Sequence, residues 1–110
     1  MLLSKGAKIL ACHRRLFPED SSRYFFGVVD EYCEGVAKVS GFTWTRDSSH
    51  GFKRKSDRRT KLIAVGSGSV IVYELPAEID VESIRVEQPG GHAVLATDGK
   101  KFHMDLAERQ

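Results

Sequence analysis

Residues 24–45 read YFFGVVDEYCEGVAKVSGFTWT, and this stretch decides the fold class. Two runs rich in aromatic and β-branched residues, Tyr24 to Asp30 and Val36 to Thr45, lie on either side of Glu34-Gly35. Such side chains suit a pleated, half-buried surface. Gly35 can take the left-handed conformation that a hairpin bend requires. The stretch therefore predicts a β-hairpin. A three-residue loop, Cys33-Glu34-Gly35, sets Asp30 opposite Lys38, Phe26 opposite Phe42 and Tyr24 opposite Trp44. These are an ion pair and two aromatic pairs, each worth about 0.2–1 kcal/mol, and the register is preferred for the aromatic pairs. A two-residue loop instead sets Glu31 against Lys38 and stacks Phe42 over Gly27.

In the preferred register one face carries Tyr24, Phe26, Val28, Val36, Phe42 and Trp44. The other carries Phe25, Val29, Ala37 and Val39 around Gly27 and Gly41. A hairpin that covers one core alternates apolar with polar residues. Two apolar faces predict a strongly bent hairpin in a barrel, a second sheet, or a partner chain. Phe25, Val29, Ala37 and Val39 are the candidate interface with a second copy. A homo-oligomer is expected, most simply a dimer, because two-fold dimers are the commonest assembly.

Outside the hairpin the chain also reads as strands. Ala7 to Leu16 is a mixed apolar stretch, closed by Phe17-Pro18 and a polar turn through Ser22. Residues 46–60 show no periodicity and predict an exposed, mobile loop. Lys61 to Val65 and Val70 to Leu75 predict a second hairpin about Gly66-Ser67-Gly68-Ser69. Ala77 to Ser83 has room for one short helical turn, although Asp80 to Ser83 fits a capped start poorly. Ile84 to Glu87 alternates, and Pro89-Gly90-Gly91 reads as a turn. His92 to Thr97 and Lys100 to Asp105 flank Asp98-Gly99, a strong signal for a two-residue hairpin turn that sets His92 opposite Asp105. The expected fold is all-β: a small barrel or roll of about seven to eight short antiparallel strands, with little helix. Length and the lack of a composition break predict one domain over residues 1–110.

Tyr24 to Asp30 followed by Gly35 to Gly41 resembles the first half of an Sm-like fold, and SH3-like small barrels use a similar aromatic-Gly strand. The resemblance spans residues 24–41 and implies a tightly bent strand followed by an apolar one. Sm-like proteins form rings that bind RNA. Neither the family's late Arg/Lys-Gly motif nor its RNA-contacting Asn has a counterpart here, so the resemblance implies a topology and no binding residue.

Net charge is +2, but unevenly spread. Residues 46–61 hold seven basic residues and two acidic ones, leaving ten basic and thirteen acidic residues elsewhere. Arg46, Lys53, Arg54, Lys55, Arg58, Arg59 and Lys61 are the candidate polyanion-binding residues, because phosphate neutralisation needs Lys and Arg. Phe42, Trp44 and Phe52 flank them as possible platforms for the bases of a single strand. The alternative is that these aromatics are core and the charges solvate a loop.

Other chemistry is thinly represented. His13, His50, His92 and His103 lack the close ligand spacing that zinc requires, and no cofactor or metal is implied. Asp47, Ser48, Ser49 and His50 are adjacent in sequence, which says little, since folds build triads. No catalytic constellation is visible, so a non-enzymatic role is expected. Cys12 and Cys33 read as small, mostly buried hydrophobes in a reducing compartment. No run is long enough to span a bilayer. Ile9-Leu10-Ala11-Cys12 has the look of a lipoprotein cleavage box, but Ser4, Lys5, Gly6 and Lys8 interrupt the apolar stretch that secretion needs. A cytoplasmic location is expected. The leading functional expectation is a binding or self-assembly module acting through the apolar hairpin; the alternative is a single-stranded nucleic-acid binder using residues 52–61.

Overall fold

The computed structural model describes residues 3–13, 23–47, 51–87, 94–99 and 102–106. Their strands are β1 (Lys8–His13), β2 (Arg23–Cys33), β3 (Val36–Asp47), β4 (Gly51–Arg54), β5 (Arg59–Ala64), β6 (Val70–Leu75), β7 (Arg85–Glu87), β8 (Leu95–Thr97) and β9 (His103–Asp105). Among the described residues all pairings are antiparallel, and the helical content is one 3-10 turn at Val81–Ser83. Among the described residues no helix is long and apolar enough to cross a membrane. The turns expected at Pro18 to Ser22 and Pro89 to Gly91, together with Ser48, Ser49, His50 and His92, lie outside the described residues.

The β2–β3 hairpin uses both candidate registers. At its open end Tyr24 faces Trp44, Phe26 faces Phe42 and Val29 faces Val39. Near the turn Glu31 faces Lys38, Tyr32 faces Ala37 and Cys33 faces Val36. A β-bulge at Asp30 joins the two, so the expected Asp30–Lys38 pair gives way to Glu31–Lys38. The reason is the two-residue period of a strand. Without the bulge Glu31 would share the face of Val29 and place a carboxylate in the core. With it, Tyr32 takes that place and packs against the buried cluster. The Asp30 carboxylate accepts a hydrogen bond from Ser40 Oγ at 2.5 Å, and Ser40 Oγ lies 2.9 Å from Thr60 Oγ1. The turn is Glu34-Gly35, with φ of 48° and 81°, the two positive values that a type I′ turn needs.

The larger sheet runs β4-β3-β2-β1-β6, and β5 pairs with β3 as well. Because β2 occupies one edge of β3, β4 and β5 share the other: β5 along Val36 to Gly41, β4 along Trp44 to Asp47. Residues 46–60 are therefore not a structureless loop. Their described residues complete β3 and form β4 and the start of β5. The hairpin expected over 61–75 does not form either: β5 pairs with β3, and β6 crosses to pair with β1 from Lys8 to His13. That choice covers the edge β1 would otherwise expose.

The two apolar faces of the hairpin are both covered within the chain. Residues from β1, β2, β3, β5 and β6, with Leu3, form one buried cluster: Ile9, Ala11, Phe25, Val29, Ala37, Val39, Ile63 and Val70. Among the described residues no second sheet lies on this face, so the sheet itself rolls around it. Gly41 permits the curl. A side chain there would drive its Cβ into the Phe26 carbonyl and to 2.5 Å from the Gly27 Cα. The outer face carries Leu10, Cys12, Tyr24, Phe26 and Trp44 and is covered by Ile84, Val86, Val94, Ala96 and Leu106 from the smaller sheet, β7-β8-β9, and the residues flanking its strands. Ile79 and Val81 fill the join, and Asp80 does cap the 3-10 turn after all, accepting from Glu82 N at 3.0 Å.

Two smaller expectations change. Thr97 faces His103 and Leu95 faces Asp105, which is not the register that a two-residue turn at Asp98-Gly99 would set. Asp98 Oδ1 accepts from Phe102 N at 3.1 Å, linking the ends of the two strands. Cys12 is buried but Cys33, beside the β2–β3 turn, is exposed, and neither is in a disulfide.

Candidate functional site

The candidate interface of the apolar hairpin is core. Phe25, Ala37 and Val39 have no exposed surface and Val29 retains 1%. The rolled sheet supplies their cover, so they have nothing left to offer a second copy, and the motive for an oligomer goes with them.

The basic residues remain at the surface, and the pleat divides them into two sets. Arg54 faces Trp44 across the β3–β4 ladder and so points to the outer face. Its guanidinium sits 4.4 Å from the centroid of the Phe42 ring, and that of Arg58 sits 5.8 Å away. Arg46 lies 5.6 Å from the Phe52 ring, which in turn leans on Tyr24 at 5.5 Å. Arg54 also donates to the Glu82 carbonyl and Arg58 to the Glu82 carboxylate, each at 3.3 Å. These three arginines shield aromatic rings, and two of them, Arg54 and Arg58, reach the 3-10 turn. Phe42 and Trp44 are buried and Phe52 half-buried, so the expected stacking platforms are already occupied.

The second set gathers where the inner face meets solvent. Lys61 faces Val39 across the β3–β5 ladder, which points it inward. Its ammonium lies 4.7 Å from the Phe25 ring centroid. Burial lowers its pKa first, and then the positive charges of Arg23, Arg59 and Lys55 lower it further. Arg59, two residues before Lys61 on the same strand, shares its face; its Asp57 partner is 3.8 Å away in an exposed pair that holds it weakly. Lys53 faces Thr45 on β3 and is exposed, on the opposite side of β4 from Arg54.

Two members of this set were missed by sequence reasoning. Arg23 opens β2, and His13 ends β1. Antiparallel pairing of Cys12 with Tyr24 makes them neighbours. His13 has its pKa lowered by burial, then by Lys61, then by Arg23. Its Nε2 is buried and has no hydrogen-bond partner among the described residues. Nothing in the linear sequence marks them, because each stands alone among apolar or undistinguished neighbours.

Elsewhere Pro76, Glu78, Ile79, Asp80, Ser83, Asp98 and Phe102 line a cleft of about 380 Å³. Among the described residues no three His, Cys, Asp or Glu side chains gather to hold a metal ion. Comparison with protein families, with curated proteins and with solved structures finds no match for this chain.

Proposed function

We propose that this chain is a non-enzymatic binding module for a polyanion of the single-stranded nucleic-acid class, gripped by Arg23, Lys55, Arg59 and Lys61. The observation that carries the reading is the convergence of three cations, Arg23, Arg59 and Lys55, on the half-buried Lys61, which stands over the Phe25 ring. Their mutual repulsion is unfavourable in the free protein and is relieved by a run of phosphates. Arg59 and Lys61 stand about 6.6 Å apart along β5 by strand geometry, a stride that lets a backbone be followed. The phosphates and not the bases are gripped, since Phe42 and Phe52 are capped by the protein's own arginines and Phe25 by Lys61. Binding is accordingly tolerant of sequence.

Fluorescence anisotropy of a labelled single-stranded oligonucleotide, repeated over a salt series, tests this. Each neutralised phosphate of a single strand contributes about −0.7 to the slope of log K against log salt, so four give about −3. Binding that is absent at low salt, or indifferent to salt, overturns the proposal. Tighter binding to a duplex of equal length would reassign the class.

A further inference from the structure

We infer that His13, Arg23 and Lys61 form a seat for a single phosphate group at the mouth of the rolled sheet. The inference deepens the polyanion reading and rests on it only for the source of the phosphate.

Three strands bring the donors together. His13 ends β1 beside Arg23 of β2, and Lys61 of β5 reaches over Phe25, whose own cross-strand neighbours are Ala11 and Thr43. His13 faces Val70 on β6, so that side of the imidazole is apolar. The three groups differ in a useful way. A guanidinium offers a planar fork, an ammonium a compact point charge, and an imidazole one N–H in a fixed direction. A tetrahedral oxyanion can accept from all three.

Two features of the corner lack an explanation without an anion. The first is the orphaned His13 Nε2. A buried polar atom with no partner costs about 1–3 kcal/mol, and such atoms are rare in folded proteins. The second is the charge: among the described residues, the charged neighbours that shift His13 or Lys61 are all cations, namely Lys61, Arg23, Arg59 and Lys55. Holding like charges together on a half-buried surface is unfavourable until an anion enters. A phosphate answers both, accepting a hydrogen bond from the imidazole and neutralising the cluster.

The probe is inorganic phosphate, followed through the His13 ring resonances by NMR, with chloride at equal ionic strength as control. A saturable shift with phosphate, an upward move of the His13 pKa, and at least tenfold weaker binding in Lys61→Met support the seat; Lys61→Arg should restore part of the affinity. His13→Gln, which keeps a donor, should bind more tightly than His13→Ala. No saturable shift, or an equal shift in Lys61→Met of native fold, overturns it. A single-stranded oligonucleotide is then added to the phosphate-loaded protein. Displacement of phosphate identifies the seat as part of the strand site. Phosphate binding without any oligonucleotide binding leaves the seat standing for free phosphate and overturns the polyanion reading instead.

Discussion

The Lys61 ammonium stands 4.7 Å from the centroid of the Phe25 ring, at the point where a fully buried core meets a cluster of positive charge. Phe25 serves both: one part of its surface packs the inner cluster, and its π face meets the ammonium. Phe25→Leu should therefore destabilise by about 1–2 kcal/mol, the packing loss plus the lost cation–π contact. In a Lys61→Met background the same change should cost about 0.5–1 kcal/mol less. Denaturant unfolding of the four variants checks it. A zero coupling energy would mean that the contact contributes nothing.

Protonation of His13 opposes folding. Its folded pKa lies below the ordinary value of 6.5, so between those two values the unfolded chain binds more protons than the folded one. Stability should rise with pH through that window, with the full penalty present below the folded pKa and gone above about pH 6.5. Thermal unfolding between about pH 5 and pH 7 should show this slope, and His13→Gln should flatten it. A slope unchanged in the variant would assign it to other groups.

The two arginine sets should separate in their effects. Arg54→Ala uncovers Phe42 and releases the Glu82 carbonyl, so it should lower stability by about 1 kcal/mol and leave oligonucleotide affinity within about twofold. Arg59→Ala should do the reverse, weakening oligonucleotide binding by about threefold to tenfold at low salt with stability changed by less than about 0.5 kcal/mol. Paired unfolding and anisotropy measurements decide; equal affinity losses would dissolve the division.

Two glycines of the hairpin should differ in cost. Gly41→Ala forces a Cβ against the backbone of β2, with Gly27 Cα only 2.5 Å away, and should destabilise by about 3 kcal/mol or more. Gly35→Ala meets nothing within 4 Å and bears only the strain of a φ of 81°, so about 1 kcal/mol is expected. Denaturation midpoints give the order, and a Gly35 variant costlier than the Gly41 variant would misplace the tight crossing.

Amide exchange tests the ordering of the basic segment. The Lys55 amide donates to the Thr43 carbonyl at 2.9 Å, continuing the β3–β4 ladder. It should exchange at least about tenfold more slowly than Ser56 and Asp57, which follow the strand. Uniformly fast exchange from Phe52 to Arg59 would return the segment to a loop.

Local signals were enough to read the strands of the hairpin, its turn glycine and the all-β class. Alternation and turn residues act between near neighbours, and Tyr24 to Asp30, Glu34-Gly35 and Val36 to Thr45 carry all of them in one short span. The bulge at Asp30 was within reach too, since one register holds at the open end of the hairpin and the other near its turn. The basic residues were visible as a run. Their division was not, because the side of the sheet that Arg54 or Arg59 takes depends on which strand each pairs with, and β4 has too few apolar residues to announce itself.

The sequence by itself determined that this chain is built from short strands, that its central hairpin is apolar on both faces, and that its positive charge is concentrated in one segment. Tertiary structure alone decided what those facts amount to. Rolling the sheet turned Phe25, Val29, Ala37 and Val39 from a possible interface into core. Pairing β5 with β3 and β1 with β2 brought His13, Arg23 and Lys61 to one corner, although they come from three separate strands. Residue types fix what a side chain can do, but long-range strand pairing fixes which side chains meet, and the entropy lost in closing such contacts is recovered only when the whole sheet assembles.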